Sequence, residues 1–121
     1  EDRSSLLRQM KPELDLQDIA ALQQECRKVH TSDALLDYVQ ALIEATRSGR
    51  WFPAGLSPRA GIMLLQVSRA HAFLAGREFV IPEDVKAVFP SLARHRLTAP
   101  HGVEISVDQL LEDLLEQVAV H

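Results

Sequence analysis

The sequence predicts an all-α fold: a small helical bundle around a central buried helix, with at most one short extended pair. Three observations carry this. Apolar residues recur at helical rather than alternating spacing through most of the chain. Serine, threonine, aspartate or proline stands at the start of one apolar stretch after another, as helix starts require. One stretch, residues 58–74, is apolar or small almost all round, the pattern of a helix buried on every side.

The elements follow in order. Asp15 is a fitting N-cap for a helix running to about Lys28, with Asp18 in a capping-box-like position and Leu14 placed to staple onto Ile19. Its apolar stripe is Leu16, Ile19, Ala20, Leu22 and Cys26. A second helix opens at Thr31 or Ser32 and stops at Ser48 and Gly49, with Arg47 in the last turn, where a cation suits the dipole. "GRWFPAG" then breaks the chain. Ser57 caps the third helix, Pro58 takes its first position, and Ile62, Met63, Leu64, Leu65, Val67, Ala70, Ala72 and Phe73 fill it.

Ala75 and Gly76 end that helix, and "REFVI" reads as a short extended connector. Pro82, Glu83 and Asp84 restart helix in a way that suits the N-terminal dipole. Pro90 is expected to break or kink it, leaving a short piece that ends near residues 94–96. Ser106 caps a final amphipathic helix whose stripe is Val107, Leu110, Leu111, Leu114, Leu115 and Val118. Repeats and low-complexity tracts are absent from the sequence.

Composition excludes several functions. With 13 Lys and Arg against 17 Asp and Glu the net charge is −4, which argues against a nucleic-acid interface. No apolar run approaches the ~20 residues of a membrane span, and no secretory leader opens the sequence. The single cysteine, Cys26, rules out an internal disulfide framework and any multi-cysteine zinc site. A cytoplasmic protein is expected. Glu1 stands where Met would begin a gene product, as in a piece of a longer protein.

The third helix opens against rule. Its second position is Arg59, with no acid beside it, although a helix N-terminus carries roughly half a positive charge. Arg59 reads either as a solvated arginine or as part of an anion site, where first-turn N–H groups, the dipole and a guanidinium fork converge on one phosphate. Other candidates divide similarly. Trp51 and Phe52 either cover the open end of the bundle or contact a partner. Cys26 and His30, four apart, are expected on one helix face as a half-buried pair rather than metal ligands. His71 is expected as a hydrogen-bonded core histidine. Arg94, His95 and Arg96 either complement a helix end or meet an acidic partner. Asp108, Glu112, Asp113 and Glu116 read as a solvated face, and no nucleophile elbow is present.

"GLSPRA" followed by a buried helix and then "GREFVIPEDVKAVFPSLARHRL" resembles the C-terminal lid of MoxR-type AAA+ ATPases, and "HTSDALLDYVQALIEATR" resembles the helix before it. The resemblance covers about residues 14–107 and is most specific at residues 55–60 and 76–97. It implies that residues 1–13 connect to a large AAA+ subdomain and residues 14–121 form the lid. It implies that Arg59 is the sensor-2 arginine reaching the γ-phosphate of ATP, with Gly55, Ser57 and Pro58 on the phosphate side. Leu56 departs from the small residue more usual there. Such a bulkier loop is expected to lie differently against the nucleotide.

The same resemblance implies a ring, a hexamer, made with neighbouring subunits, a chaperone role in client maturation or cofactor insertion, and a von Willebrand A-domain partner. No Gly-x-x-x-x-Gly-Lys-Ser/Thr loop occurs in the sequence, so the phosphates and magnesium would be held by the large subdomain and this chain alone is expected not to hydrolyse ATP. The competing expectation is a free-standing helical interaction module without a nucleotide role.

Overall fold

Among the described residues, serine side chains start three of the five helices. The computed structural model describes residues 16–100, 102 and 104–118, and within them the order is α1 (Leu16–Arg27), α2 (Asp33–Thr46), α3 (Pro58–Leu74), α4 (Pro82–Ala93) and α5 (Val107–Gln117). Ser32, Ser57 and Ser106 each sit in extended backbone as N-caps. Their hydroxyls accept the N–H of Leu35 at 3.1 Å, Ala60 at 3.4 Å and Gln109 at 3.1 Å, satisfying donors that a helix start leaves orphaned. The expected cap Asp15 and staple Leu14 lie outside the described residues, as do residues 1–13.

α3 is the centre, packed against α1, α2 and α4, while α5 closes the far side against α4 and α2. Its inward stripe is Ala60, Leu64, Ser68 and Ala72, one residue per turn, three of them small enough to bring neighbours close. Around it the core gathers Leu42, Phe73, Val85, Phe89, Leu111 and Leu114, all essentially without solvent contact. The expectation of burial on every side is corrected here: Ile62 is 61% exposed and Leu74 69%. Three neighbouring helices cover part of the cylinder only, and the remaining apolar positions face outward.

α1 also departs from its pattern. It packs on α3 through half-buried Leu22 and Cys26, whereas Leu16, Ile19 and Ala20 are exposed. Cys26 and His30 do not share a helix face, because α1 ends at Arg27. His30 is exposed and contributes its backbone instead, donating to Glu78 O at 2.8 Å and accepting from Val80 N at 2.9 Å. This parallel bridge between His30 and Phe79 is the one extended pair among the described residues.

Pro90 does not break its helix. α4 runs unbroken from Pro82 to Ala93 because burial of Phe89, Leu92 and Ala93 holds the last turn, against the loss of one backbone donor.

The junction between α3 and α4 is built on Asp84. This carboxylate is wholly buried and accepts a fork from Arg77, Nη1 to Oδ2 at 2.5 Å and Nη2 to Oδ1 at 2.6 Å. It also accepts the Ile81 N–H at 2.8 Å and His71 Nδ1 at 2.6 Å. An ionised carboxylate only accepts, so the His71 Nδ1 carries the proton. Burial pushes the Asp84 pKa up, but the Arg77 fork, the Ile81 N–H and His71 outweigh it and hold the value at about 2. His71, expected as a hydrogen-bonded core histidine, is hydrogen-bonded but not core: its side chain is 42% exposed.

Two outcomes follow. Leu64→Ala, at a site with no solvent contact, is expected to cost roughly 2–5 kcal/mol, measured by urea unfolding. Asp84 has a folded pKa below its unfolded 3.8. Its contribution, about 2 kcal/mol, is therefore fully present above pH ~4 and lost as pH falls toward about 2. Urea midpoints measured from pH 6 to pH 2 should show that fall, and Arg77→Met should shrink it.

Candidate functional site

The candidate site is the start of α3 and the loop that delivers it. Ser57 turns the chain with φ −74° and ψ 162°, Pro58 occupies the first helical position, and Arg59 follows on the exposed first turn. That turn has no acidic residue. The Arg59 side chain makes no hydrogen bond or ion pair to the described residues, so a guanidinium and a positive helix end stand together without a counter-charge. Among the described residues no cluster of three His, Cys, Asp or Glu is placed to hold a metal. An anion is therefore the ligand class this end suits.

The loop is fastened rather than free. Gly49 makes the first turn at φ +81°, a conformation that glycine adopts without steric cost. Phe52 is buried in the core, which agrees with the covering role, and Trp51 is half-buried with the Arg50 guanidinium 5.1 Å from its ring centroid. Gly55 then lies directly on the end of α2: a Cβ there would stand 2.5 Å from Arg47 Cα and 2.6 Å from Arg47 N. Leu56 turns inward and is 2% exposed. Its bulk fills core and pins the loop from beneath.

Thr46 completes the attachment. Its buried hydroxyl donates to Ile43 O at 2.6 Å and accepts the Leu56 N–H at 3.0 Å, across ten positions of sequence. Thr46 was not among the candidate site residues. The legible signal is that it continues the apolar stripe of α2 (Leu35, Tyr38, Val39, Leu42, Ile43) as its one polar member. Beside the site, Arg47 and Pro58 edge a groove of about 290 Å³ between α2 and α3, floored by Val39, Ile43 and Leu65.

The structure brings Gly55, Ser57, Pro58 and Arg59 together at one end of α3, and Trp51 and Phe52 into the same loop. It places His71 near the opposite end. Arg94 pairs with Asp108 at 2.8 Å, joining the end of α4 to the start of α5, and Arg96 donates to Leu92 O at 3.0 Å. Asp113 accepts from Gln109 at 3.0 Å, and Glu112 and Glu116 remain exposed. The Arg94 pair is exposed and worth little to stability.

Comparison with known proteins shows the family of the fold. Residues 44–114 match the family model of the AAA lid domain, and the chain belongs to that family. Within it the similarity is to MoxR proteins: the chaperone MoxR1 of Mycobacterium tuberculosis is 33% identical over 93% of this chain and 33% of its own length. Protein MoxR of Methylorubrum extorquens is 36% identical over 57% of this chain and 20% of its own. A crystal structure named for a "putative ATPase" of Cytophaga hutchinsonii superposes with a TM-score of 0.80 at 31% identity, over 87% of this chain and 36% of that one. The chain thus spans about a third or less of the length of these relatives.

Gly55→Ala is expected to destabilise the chain by about 1–3 kcal/mol, because the added methyl meets the Arg47 backbone as well as its side chain, and backbone cannot swing aside. Thermal unfolding beside Gly49→Ala, whose Cβ meets open space but whose φ is strained, separates packing from conformation.

Proposed function

We propose that this chain is the C-terminal lid of a cytoplasmic MoxR-type AAA+ ATPase, closing over ATP held by a large subdomain of the same protein. In this reading Arg59 is the sensor-2 arginine and bonds the γ-phosphate, with Gly55, Ser57 and Pro58 forming the phosphate-side turn. Magnesium and the phosphate-cradling loop belong to the large subdomain. The observation that carries the reading is Arg59 itself, exposed at the second position of α3 and without a counter-charge among the described residues.

The mechanism follows from charge. A charge-assisted hydrogen bond is worth about 1.5–3 kcal/mol, enough to shift a balanced hinge ten-fold or more toward the closed lid while the γ-phosphate is present. Hydrolysis and phosphate departure remove the acceptor, and the lid is released. The helix end contributes by stabilising the same anion without needing to move. The full protein would assemble as a ring, a hexamer, with neighbouring subunits. It would act as a chaperone in maturation or cofactor insertion, with a von Willebrand A-domain protein as partner. The relative named chaperone MoxR1 supports that role.

Arg59→Ala in the full-length protein is expected to lower ATP turnover at least ten-fold. The same change in this chain should leave its helical circular dichroism and unfolding midpoint unchanged, or raise the midpoint slightly by relieving the unfavourable dipole contact. Unchanged turnover would remove Arg59 from the reaction.

A further inference from the structure

The loop that delivers Arg59 is attached to the bundle at few points, and one of them is a single buried hydroxyl. Between the end of α2 and the start of α3, the backbone hydrogen bonds leaving the loop for the rest of the bundle reduce, among the described residues, to the Leu56 N–H on Thr46 Oγ1 at 3.0 Å. The other bonds in this stretch, Arg47 N to Glu44 O, Ser48 N to Ala45 O and Arg50 N to Ser48 Oγ, are local turns that do not reach Ser57. Thr46 is itself held, because its hydroxyl proton is committed to Ile43 O at 2.6 Å, which leaves its lone pairs facing the loop. Gly55 backbone lies against Arg47 backbone and the buried Leu56 side chain holds the other side. Three residues after the bonded amide comes Arg59.

We propose that Thr46 is a positioning residue for Arg59: its hydroxyl latches the loop to the end of α2 and so sets where the first turn of α3 presents the guanidinium. This rests on the reading of Arg59 as the phosphate contact. A hydroxyl is the group suited to the task. It accepts the amide of one segment while donating to the carbonyl of another, so both bonds point one way and neither polar atom is left buried without a partner. Valine has nearly the same shape and can do neither. Serine can do both.

The test is a double-mutant cycle on ATP turnover of the full-length protein, using Thr46→Val, Thr46→Ser, Arg59→Ala and Thr46→Val with Arg59→Ala. Thr46→Val alone is expected to lower turnover about ten-fold, since small misplacements of a group that contacts the reacting centre are costly. Thr46→Ser should stay within about two-fold of the unaltered protein. In the Arg59→Ala background, Thr46→Val should change turnover by less than about two-fold, because the group it positions is gone. An equal loss in both backgrounds would make Thr46 merely structural and overturn the proposal. So would full turnover in Thr46→Val while Arg59→Ala is impaired, an outcome that leaves the reading of Arg59 intact. If Arg59→Ala itself keeps full turnover, the reading of Arg59 fails first and the positioning role with it.

Discussion

A single buried carboxylate holds the order of this bundle. Asp84 joins the end of α3, the connector after it and the start of α4, because its oxygens take donors from all three: His71, the Arg77 fork and the Ile81 amide. A charge taken wholly out of water is costly unless its partners are close and well directed, and four short contacts meet that demand. The parallel bridge between His30 and Phe79 lies in the same connector, so the α1–α2 junction is registered against it as well. The side of α4 that this junction orients carries Val85 and Phe89 into the core.

The two ends of α3 therefore have opposite characters. At the Asp84 end the buried carboxylate is answered within the chain, by Arg77 and His71. At the Ser57 end a guanidinium stands in the open on the positive end of the helix. The 17-residue α3 separates them by about 25 Å of helix. The loop before Ser57 is held by packing and one buried bond, so the exposed charge is carried on a defined support.

Part of the apolar surface stays uncovered on two adjoining helices. Leu16 and Ile19 of α1 and Ile62 and Leu74 of α3 remain exposed, and a groove of about 560 Å³ runs between α1 and α3 past Leu22, Cys26 and Phe73. Scattered apolar residues are ordinary on any surface, but these fall along two adjoining helices. The chain spans about a third or less of the relatives it matches.

Local chemistry made most of the secondary structure legible from the residues alone. Serine before proline, glycine after alanine and leucines at helical spacing act within a few positions of themselves, so Ser57, Gly76 and the α5 stripe could be assigned without knowing what they touch. Arg59 was legible for the same reason, because its conflict with the dipole lies within one turn. What the residues could not disclose depended on partners distant in sequence. Pro90 reads as a break, yet α4 continues since Phe89 and Leu92 are held by neighbours. Leu56 reads as an awkward loop residue and is core, Asp84 reads as a dipole charge and is the hub of the bundle, and Thr46, which the sequence does not single out, is the loop's attachment. Sequence determined the helices and the unanswered cation; tertiary packing decided which faces were covered and which polar groups became joints, because burial and desolvation exist only once the segments meet.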